Sequence, residues 1–198
     1  MEVIRSSGAD EMVAYYLGGE IASERFGDAI RAELAYRGLG DEVVTAPDIS
    51  DDAGNRQRRA LLAATRGWGQ DREMFTRFPV DVPWVWARLC PDALARVRYI
   101  EYSYWNEISG GSRLPLDAAQ RIEARVTVFD VPNTRFVRLA DAVRRGETFP
   151  PLILAGPTSD DLVCLEGHLR LTAYALARFP TDLECLVAVD ARLRSWAE

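Results

Sequence analysis

The chain has 198 residues, of which 48% are hydrophobic and 27% charged, enough for one sizeable core or two small ones. No apolar run approaches the ~20 residues that a membrane span needs, and the N-terminal segment lacks the pattern of a secretory signal, so we expect a soluble, cytoplasmic protein without membrane contact. The net charge of -6 argues against nucleic acid as a partner, because phosphate neutralisation supplies most of the affinity for DNA.

The N-terminal region, residues 1–95, is predicted to be mostly helical. One helix is expected over residues 23–36, where apolar residues recur close to helical spacing and Gly38 follows as a stop signal. A second helix is expected over residues 55–64. Pro91 predicts the start of a short third helix, since proline is favoured at the first helical position.

The C-terminal region, residues 96–198, is predicted to form a compact mixed α/β domain. Its beginning, residues 97–105, is rich in aromatic residues and fits either a strand or a helix. The elements expected after it are a strand at 124–129, a helix at 136–145, a strand at 152–155, a turn at 156–160, a strand at 162–165, a helix at 169–179 and a strand at 185–189. The predicted fold class is therefore α+β, with the helical region packed on the α/β domain.

Two features of composition limit the chemistry. All 24 basic residues are arginine, so a P-loop and any lysine-based catalysis are excluded. The three cysteines, Cys90, Cys164 and Cys185, are odd in number and not closely spaced, which is typical of buried free thiols in a reducing compartment. A zinc site that combines them with His168, the only histidine, is allowed by composition alone.

The segment from Glu166 to Arg170 predicts an anion site. A strand that ends at Glu166-Gly167 and turns directly into a helix exposes several unpaired backbone N–H groups at the positive end of the helix dipole. Gly167 lacks a Cβ, so a ligand can approach the backbone closely. Arg170 in the first helical turn can reach a phosphate, and His168 adds a donor whose charge changes near neutral pH.

Each of these features also has an ordinary structural explanation. A glycine before a helix is common, an arginine in a first turn usually faces solvent, and a lone histidine is more often structural than a ligand. Their combination favours a binding site, because the positive end of a helix normally attracts acidic residues rather than His168 and Arg170.

The same segment resembles the ParB/sulfiredoxin superfamily. The resemblance lies in a Pro-Pro-apolar strand at residues 149–154, a turn, and the strand and Glu-Gly-His-Leu-Arg motif within residues 163–174. It covers about residues 124–190, and the predicted helix over 136–146 also falls where that fold has one. The resemblance implies a junction that binds nucleotide phosphates: ATP in sulfiredoxins, CTP in chromosome-partition proteins, and ADP or ATP in free serine kinases.

The residues implied to bind the nucleotide are Gly167, His168, Arg170 and Thr172. Glu166, which stands where kinase-like members have an aspartate, is implied as a Mg²⁺ ligand and, with His168, as a catalytic residue. The sequence departs from the superfamily motifs at three points. Leu169 stands in place of a second histidine, and His168 stands in place of the sulfiredoxin cysteine. Residues 132–135, where the kinase-like members have their catalytic base, contain no glutamate. Asp130 is the nearest carboxylate to that last position.

A second candidate segment runs from Tyr104 to Arg113. Glu107 could act as a general base or metal ligand, and Arg113 could hold a phosphate beside the Gly-Ser turn at residues 109–112. An ordinary polar loop with aromatic packing is the favoured explanation of this segment. Residues 67–72 form a weaker candidate of the same type.

The leading hypothesis is a kinase-like phosphotransferase that binds ATP, or another nucleoside triphosphate or diphosphate, with Mg²⁺ and passes a phosphoryl group to a small molecule. Two alternatives stay open: a regulatory module that binds a nucleotide without rapid chemistry, and a nuclease or DNA-partition protein. The acidic net charge counts against the last one. A homo-oligomer is compatible with the sequence, which names neither the acceptor nor the nucleotide base.

Overall fold

The computed structural model describes residues 1–198 and confirms an α+β fold of ten α-helices and one six-stranded sheet. The helices are α1 (Ala9–Glu20), α2 (Gly27–Tyr36), α3 (Glu42–Thr45), α4 (Asp52–Arg66), α5 (Pro91–Ala95), α6 (Ser103–Ile108), α7 (Pro115–Glu123), α8 (Thr134–Arg144), α9 (His168–Leu176) and α10 (Arg194–Ala197). The strands are β1 (Glu2–Ser7), β2 (Trp84–Leu89), β3 (Arg98–Tyr99), β4 (Ile153–Thr158), β5 (Asp161–Glu166) and β6 (Leu183–Val189). None of the ten helices combines the length and hydropathy that a bilayer crossing requires.

The chain divides into two units. Residues 6–84 form a helical unit, and residues 1–5 together with 85–198 form a sheet unit. The sequence placed the boundary between residues 95 and 96, about ten residues later, because β2 begins directly after Pro83 in an aromatic segment without a clear strand pattern. The N-terminal strand β1 was not predicted either, and every residue from Glu2 to Ser6 in it is exposed.

The helical unit is organised around α4, which contacts α1, α2 and α3. Asp51 begins α4 by accepting hydrogen bonds from the N–H groups of Ala53 and Gly54, and Gly67 ends it in a left-handed conformation with φ of 83°. Arg58 is buried on α4 and donates to the carbonyls of Val43 and Asp48. These bonds satisfy buried polar groups and hold the acidic connection before α4 against the helix.

The sheet unit contains a mixed sheet with the strand order β1-β2-β6-β4-β5-β3. Strands β4 and β5 form an antiparallel hairpin, while β4 pairs with β6 and β5 pairs with β3 in parallel. The buried strand β4 follows Pro151 and Leu152, and the predicted helices at 136–145 and 169–179 are present as α8 and α9. Helix α9 contacts both α7 and α8, and the three helices share one apolar core with the inner strands.

Three local predictions were wrong. Residues 124–129 do not form a strand, because no partner strand lies beside them; an isolated bridge joins Val128 to Val131 and closes a turn in which Phe129 and Asp130 have positive φ. The turn predicted at 156–160 is shorter, since β4 continues to Thr158. Cys90 is exposed rather than buried, whereas the other cysteines are buried as expected.

Candidate functional site

The predicted strand-to-helix junction is present in the sheet unit. Strand β5 ends at Glu166, Gly167 follows with φ of 101°, and α9 begins at His168. Only glycine adopts this backbone conformation without strain, so the residue type at this position follows from the turn itself. No side chain caps α9, and its first turn contains no acidic residue.

The space beside Gly167 is occupied by the protein's own side chains. A Cβ added at Gly167 would lie 2.7 Å from Cδ2 of Leu152 and 3.0 Å from Nη2 of Arg170. Both distances are shorter than ordinary van der Waals contact, so an alanine here would force its neighbours to move. The missing Cβ therefore serves close packing of the loop, and the ligand approach expected at this atom would compete with Leu152.

Glu166 and Arg170 form an ion pair across the first turn of α9. Their side chains are only 11% and 14% exposed, and Nη2 of Arg170 also donates to the carbonyl of Pro151 at 3.2 Å. Burial raises the pKa of Glu166, and the Arg170 guanidinium and the Gly167 N–H partly offset that rise. In the structure, Arg170 thus neutralises Glu166 instead of extending into solvent toward an anion.

His168 lies against an aromatic group at the start of α9. Its ring stacks on Trp105 with a centroid distance of 5.1 Å and an interplanar angle of 16°, and it lies 6.2 Å from the ring of Tyr99. Tyr99 and Trp105 stack on each other at 4.7 Å. His168 and Trp105 are both half-buried, so aromatic surface accessible to solvent adjoins the uncapped N–H groups of the helix.

Thr172, predicted to bind the nucleotide, belongs to the core. Its side chain is fully buried, and its hydroxyl donates to the carbonyl of His168 at 2.8 Å. The same oxygen lies 2.7 Å from the hydroxyl of Tyr99. This buried pair joins the first turn of α9 to β3, and a ligand does not reach it.

The second candidate segment separates into two roles. Arg113 is buried, and its guanidinium donates to the carbonyls of Tyr99, Ala197 and Glu198 at 2.8–3.2 Å, so it joins β3 to the last residues of the chain. Glu107 is exposed on α6, and no contact brings it to the junction at Gly167. The predicted phosphate role of Arg113 would require these three carbonyls to give up their donor.

Residues 67–72 form a loop that caps the C-terminus of α4. Arg72 donates to the carbonyls of Ala63 and Ala64 at 2.8 and 2.9 Å, which satisfies acceptors in the last turn of the helix. Trp68 is buried against Phe75 in an edge-to-face contact. This segment therefore carries capping and packing.

No three His, Cys, Asp or Glu side chains converge in a geometry that could bind a metal ion. The composition-based zinc site is not assembled, since Cys164 and Cys185 are buried in the sheet while Cys90 is exposed at the start of α5. Asp130 lies on the exposed turn before α8.

Sequence reasoning missed the aromatic partners of His168. Tyr99 and Trp105 fall in the stretch that fitted either a strand or a helix, and the structure splits it into β3 and α6. Tyr99 comes next to the junction because β3 pairs in parallel with β5, with Tyr99 opposite Cys164. The density of aromatic residues at 99–105 was the only available signal.

No protein-family model, curated protein or solved structure matches this chain. The resemblance to the ParB/sulfiredoxin superfamily therefore stays a hypothesis that depends on the motifs at 149–154 and 163–174.

Proposed function

We propose that the sheet unit is a nucleotide-binding module, with the phosphates at the N-terminus of α9 and the base on the aromatic surface of Trp105. The observation that carries the proposal is the stacking of His168, the first residue of α9, on the half-buried ring of Trp105. It puts an anion-binding element and a base-stacking element side by side.

The electrostatics of the helix terminus suit a phosphate. The N-terminal N–H groups of α9 have no side-chain cap, and the helix dipole places roughly half a positive charge there. An imidazole at the first position adds a donor and, when protonated, a further positive charge. A ring such as Trp105 supports a nucleobase by stacking, which is worth about 1–3 kcal/mol per base.

The geometry favours binding over phosphoryl transfer. The family resemblance implied that Glu166 is the Mg²⁺ ligand. In the structure, its buried carboxylate accepts hydrogen bonds from the Arg170 guanidinium and from the Gly167 N–H. Coordination of a metal by Glu166 would leave the guanidinium of Arg170 buried without its counter-charge. We therefore assign no step to a metal at Glu166, and the regulatory binding module is the better-supported alternative.

A thermal-shift panel of ATP, ADP, CTP, GTP and pyrophosphate, each with and without Mg²⁺, tests the proposal. At least one nucleotide should raise the melting temperature more than pyrophosphate does, because the base adds stacking. Substitution of His168→Glu should abolish this shift by repulsion. An acidic residue suits a helix N-terminus, which offsets part of the stacking on Trp105 that the free protein loses. Thr134→Glu makes the same change at the exposed first residue of α8 and should leave nucleotide binding intact.

Two results would decide against the proposal. If no nucleotide shifts the melting temperature, or if the His168→Glu variant responds like the unmodified protein, the N-terminus of α9 does not bind phosphate. Phosphorus NMR of ATP with Mg²⁺ and candidate acceptors distinguishes nucleotide binding alone from phosphoryl transfer. Turnover that is lost in Glu166→Gln while binding is retained would restore the phosphotransferase hypothesis.

A further inference from the structure

A pocket of about 380 Å³ lies in the sheet unit, away from the stacked rings at the start of α9. It forms where the connection between α8 and β4 meets the connection between α9 and β6, with Trp86 of β2 and Tyr174 of α9 in its walls. This volume is within the range of small-molecule sites in proteins.

Aromatic and proline side chains make up much of the pocket wall. Phe149 and Tyr174 meet in an edge-to-face contact with a centroid distance of 6.4 Å, and Trp86 contributes an indole. Pro150 and Pro180 add rigid apolar surface from the two connections. Because proline and packed aromatic residues lose little entropy on binding, this wall is suited to an apolar stem.

The charged residues of the pocket are all acidic. Carboxylates of Glu147, Asp182 and Glu184 line it, and no arginine does. Arg145 pairs with Glu147 at 2.7 Å, while Arg88 is shared between Glu184 and Glu2. Asp182 forms no ion pair and attracts Arg88 only at longer range. Together with Glu2, the carboxylates therefore outnumber the neighbouring guanidinium groups of Arg145, Arg88 and Arg5 by one.

One wall residue already interacts with a guanidinium from the same unit. The Cζ atom of Arg5 lies 5.2 Å from the ring centroid of Trp86, inside the range of cation–π attraction. The combination of aromatic faces with excess carboxylate is the chemistry that recognises organic cations, and it repels phosphate.

We propose that this pocket binds a small organic cation, with a guanidinium or alkylammonium head near Asp182 and Glu184 and an aliphatic stem against Phe149 and Tyr174. The inference is independent of the nucleotide proposal, because the residues and the sign of the charge differ. Its failure therefore leaves the N-terminus of α9 untouched, and the converse also holds.

Isothermal titration of the full chain with N-butylguanidine tests this inference, since N-butylguanidine has a guanidinium head and a four-carbon apolar stem. We expect saturable one-to-one binding, which weakens when NaCl is raised to ~1 M and the screening length falls to about 3 Å. N-Butylurea, which has a similar shape and no charge, should not bind.

The decisive variant is the double substitution Asp182→Asn/Glu184→Gln, which keeps the shape and removes two carboxylates from exposed positions. Affinity for N-butylguanidine should fall roughly fivefold per carboxylate, the effect of a unit charge at ~4 Å in water. The control Glu123→Gln/Asp160→Asn removes two exposed carboxylates of the sheet unit outside the pocket and should bind N-butylguanidine normally. Unchanged melting temperatures verify that both variants fold.

Three results would overturn the inference. They are no binding of N-butylguanidine to the unmodified protein, equal affinity for N-butylurea, and an affinity of the Asp182→Asn/Glu184→Gln variant within twofold of the control variant.

Discussion

Substitution of Arg170→Met tests whether the Glu166–Arg170 pair is structural. Methionine keeps most of the volume of the side chain and removes the charge, which leaves the carboxylate of Glu166 buried opposite an apolar group. If Arg170 instead served only a bound phosphate, the free protein would lose little stability.

The magnitude follows from burial. Both side chains are less than 15% exposed, so solvent screens the pair weakly, and removal of one partner of a buried pair costs about 3–5 kcal/mol. The lost hydrogen bond to Pro151 adds about 1 kcal/mol. Protonation of Glu166, whose pKa burial already raises, recovers part of this loss. We expect a net destabilisation of the sheet unit of ~3 kcal/mol near neutral pH.

Native-state hydrogen exchange of the α9 amides measures this free energy within the sheet unit. The double variant Glu166→Gln/Arg170→Met should recover most of the loss, because no buried charge remains. As a control, Arg178→Met breaks an exposed pair with Glu123 and should cost less than about 0.5 kcal/mol. A loss in Arg170→Met no larger than this control would refute the structural role.

Three further variants probe the same junction. Gly167→Ala should destabilise the sheet unit by ~2 kcal/mol in urea unfolding, because φ of 101° strains alanine and its Cβ meets Leu152. Thr172→Val should cost about 1–3 kcal/mol in the same assay, because it leaves the buried hydroxyl of Tyr99 without an acceptor. Tyr99→Phe should cost less than Thr172→Val, because the hydroxyl of Thr172 keeps its hydrogen bond to the carbonyl of His168. Glu166→Gln should change the pH dependence. Burial raises the pKa of the wild-type carboxyl in the fold, so its stabilising effect is lost as pH rises from the ordinary value of 4.5 through that raised pKa, and the variant gains relative stability over this interval in urea titrations.

For each of these variants, one stability result would contradict the interaction on which the prediction depends. Full stability of Gly167→Ala would mean that the loop relaxes away from Leu152. A larger loss in Tyr99→Phe than in Thr172→Val would reverse the assigned donor and acceptor. Relative stability of Glu166→Gln that falls with pH would show that Arg170 outweighs burial and lowers the pKa of Glu166.

The C-terminal elements were predictable because their local signals agree with their tertiary environment. Strands β4, β5 and β6 are short apolar runs bounded by turn residues, and they are buried on both faces. Helix α8 has a regular apolar side and stops before Gly146. In these segments local pattern and packing point to the same structure.

The remaining errors have physical causes in particular segments. Helix α1 buries Met12-Val13-Ala14 and Tyr16-Leu17, a nearly continuous apolar set that shows no clear helical spacing. The β-branched alternation at 124–128 resembles a strand, but strand formation requires a partner that the fold does not supply there. At the candidate site, the motif located the junction correctly. The pairing of Glu166 with Arg170 could not be seen, because it depends on the burial of both side chains.

Because the three cysteines differ in exposure, thiol labelling of the natural sequence can report local unfolding of the sheet. Cys90 is accessible, while Cys164 and Cys185 are buried on β5 and β6, the two strands on either side of β4. Burial raises the pKa of Cys185 to about 12. A maleimide dye should therefore label one thiol of the folded protein and three after unfolding. The labelling rate of the second and third thiols therefore measures how fast the central strands separate, and no engineered probe is needed.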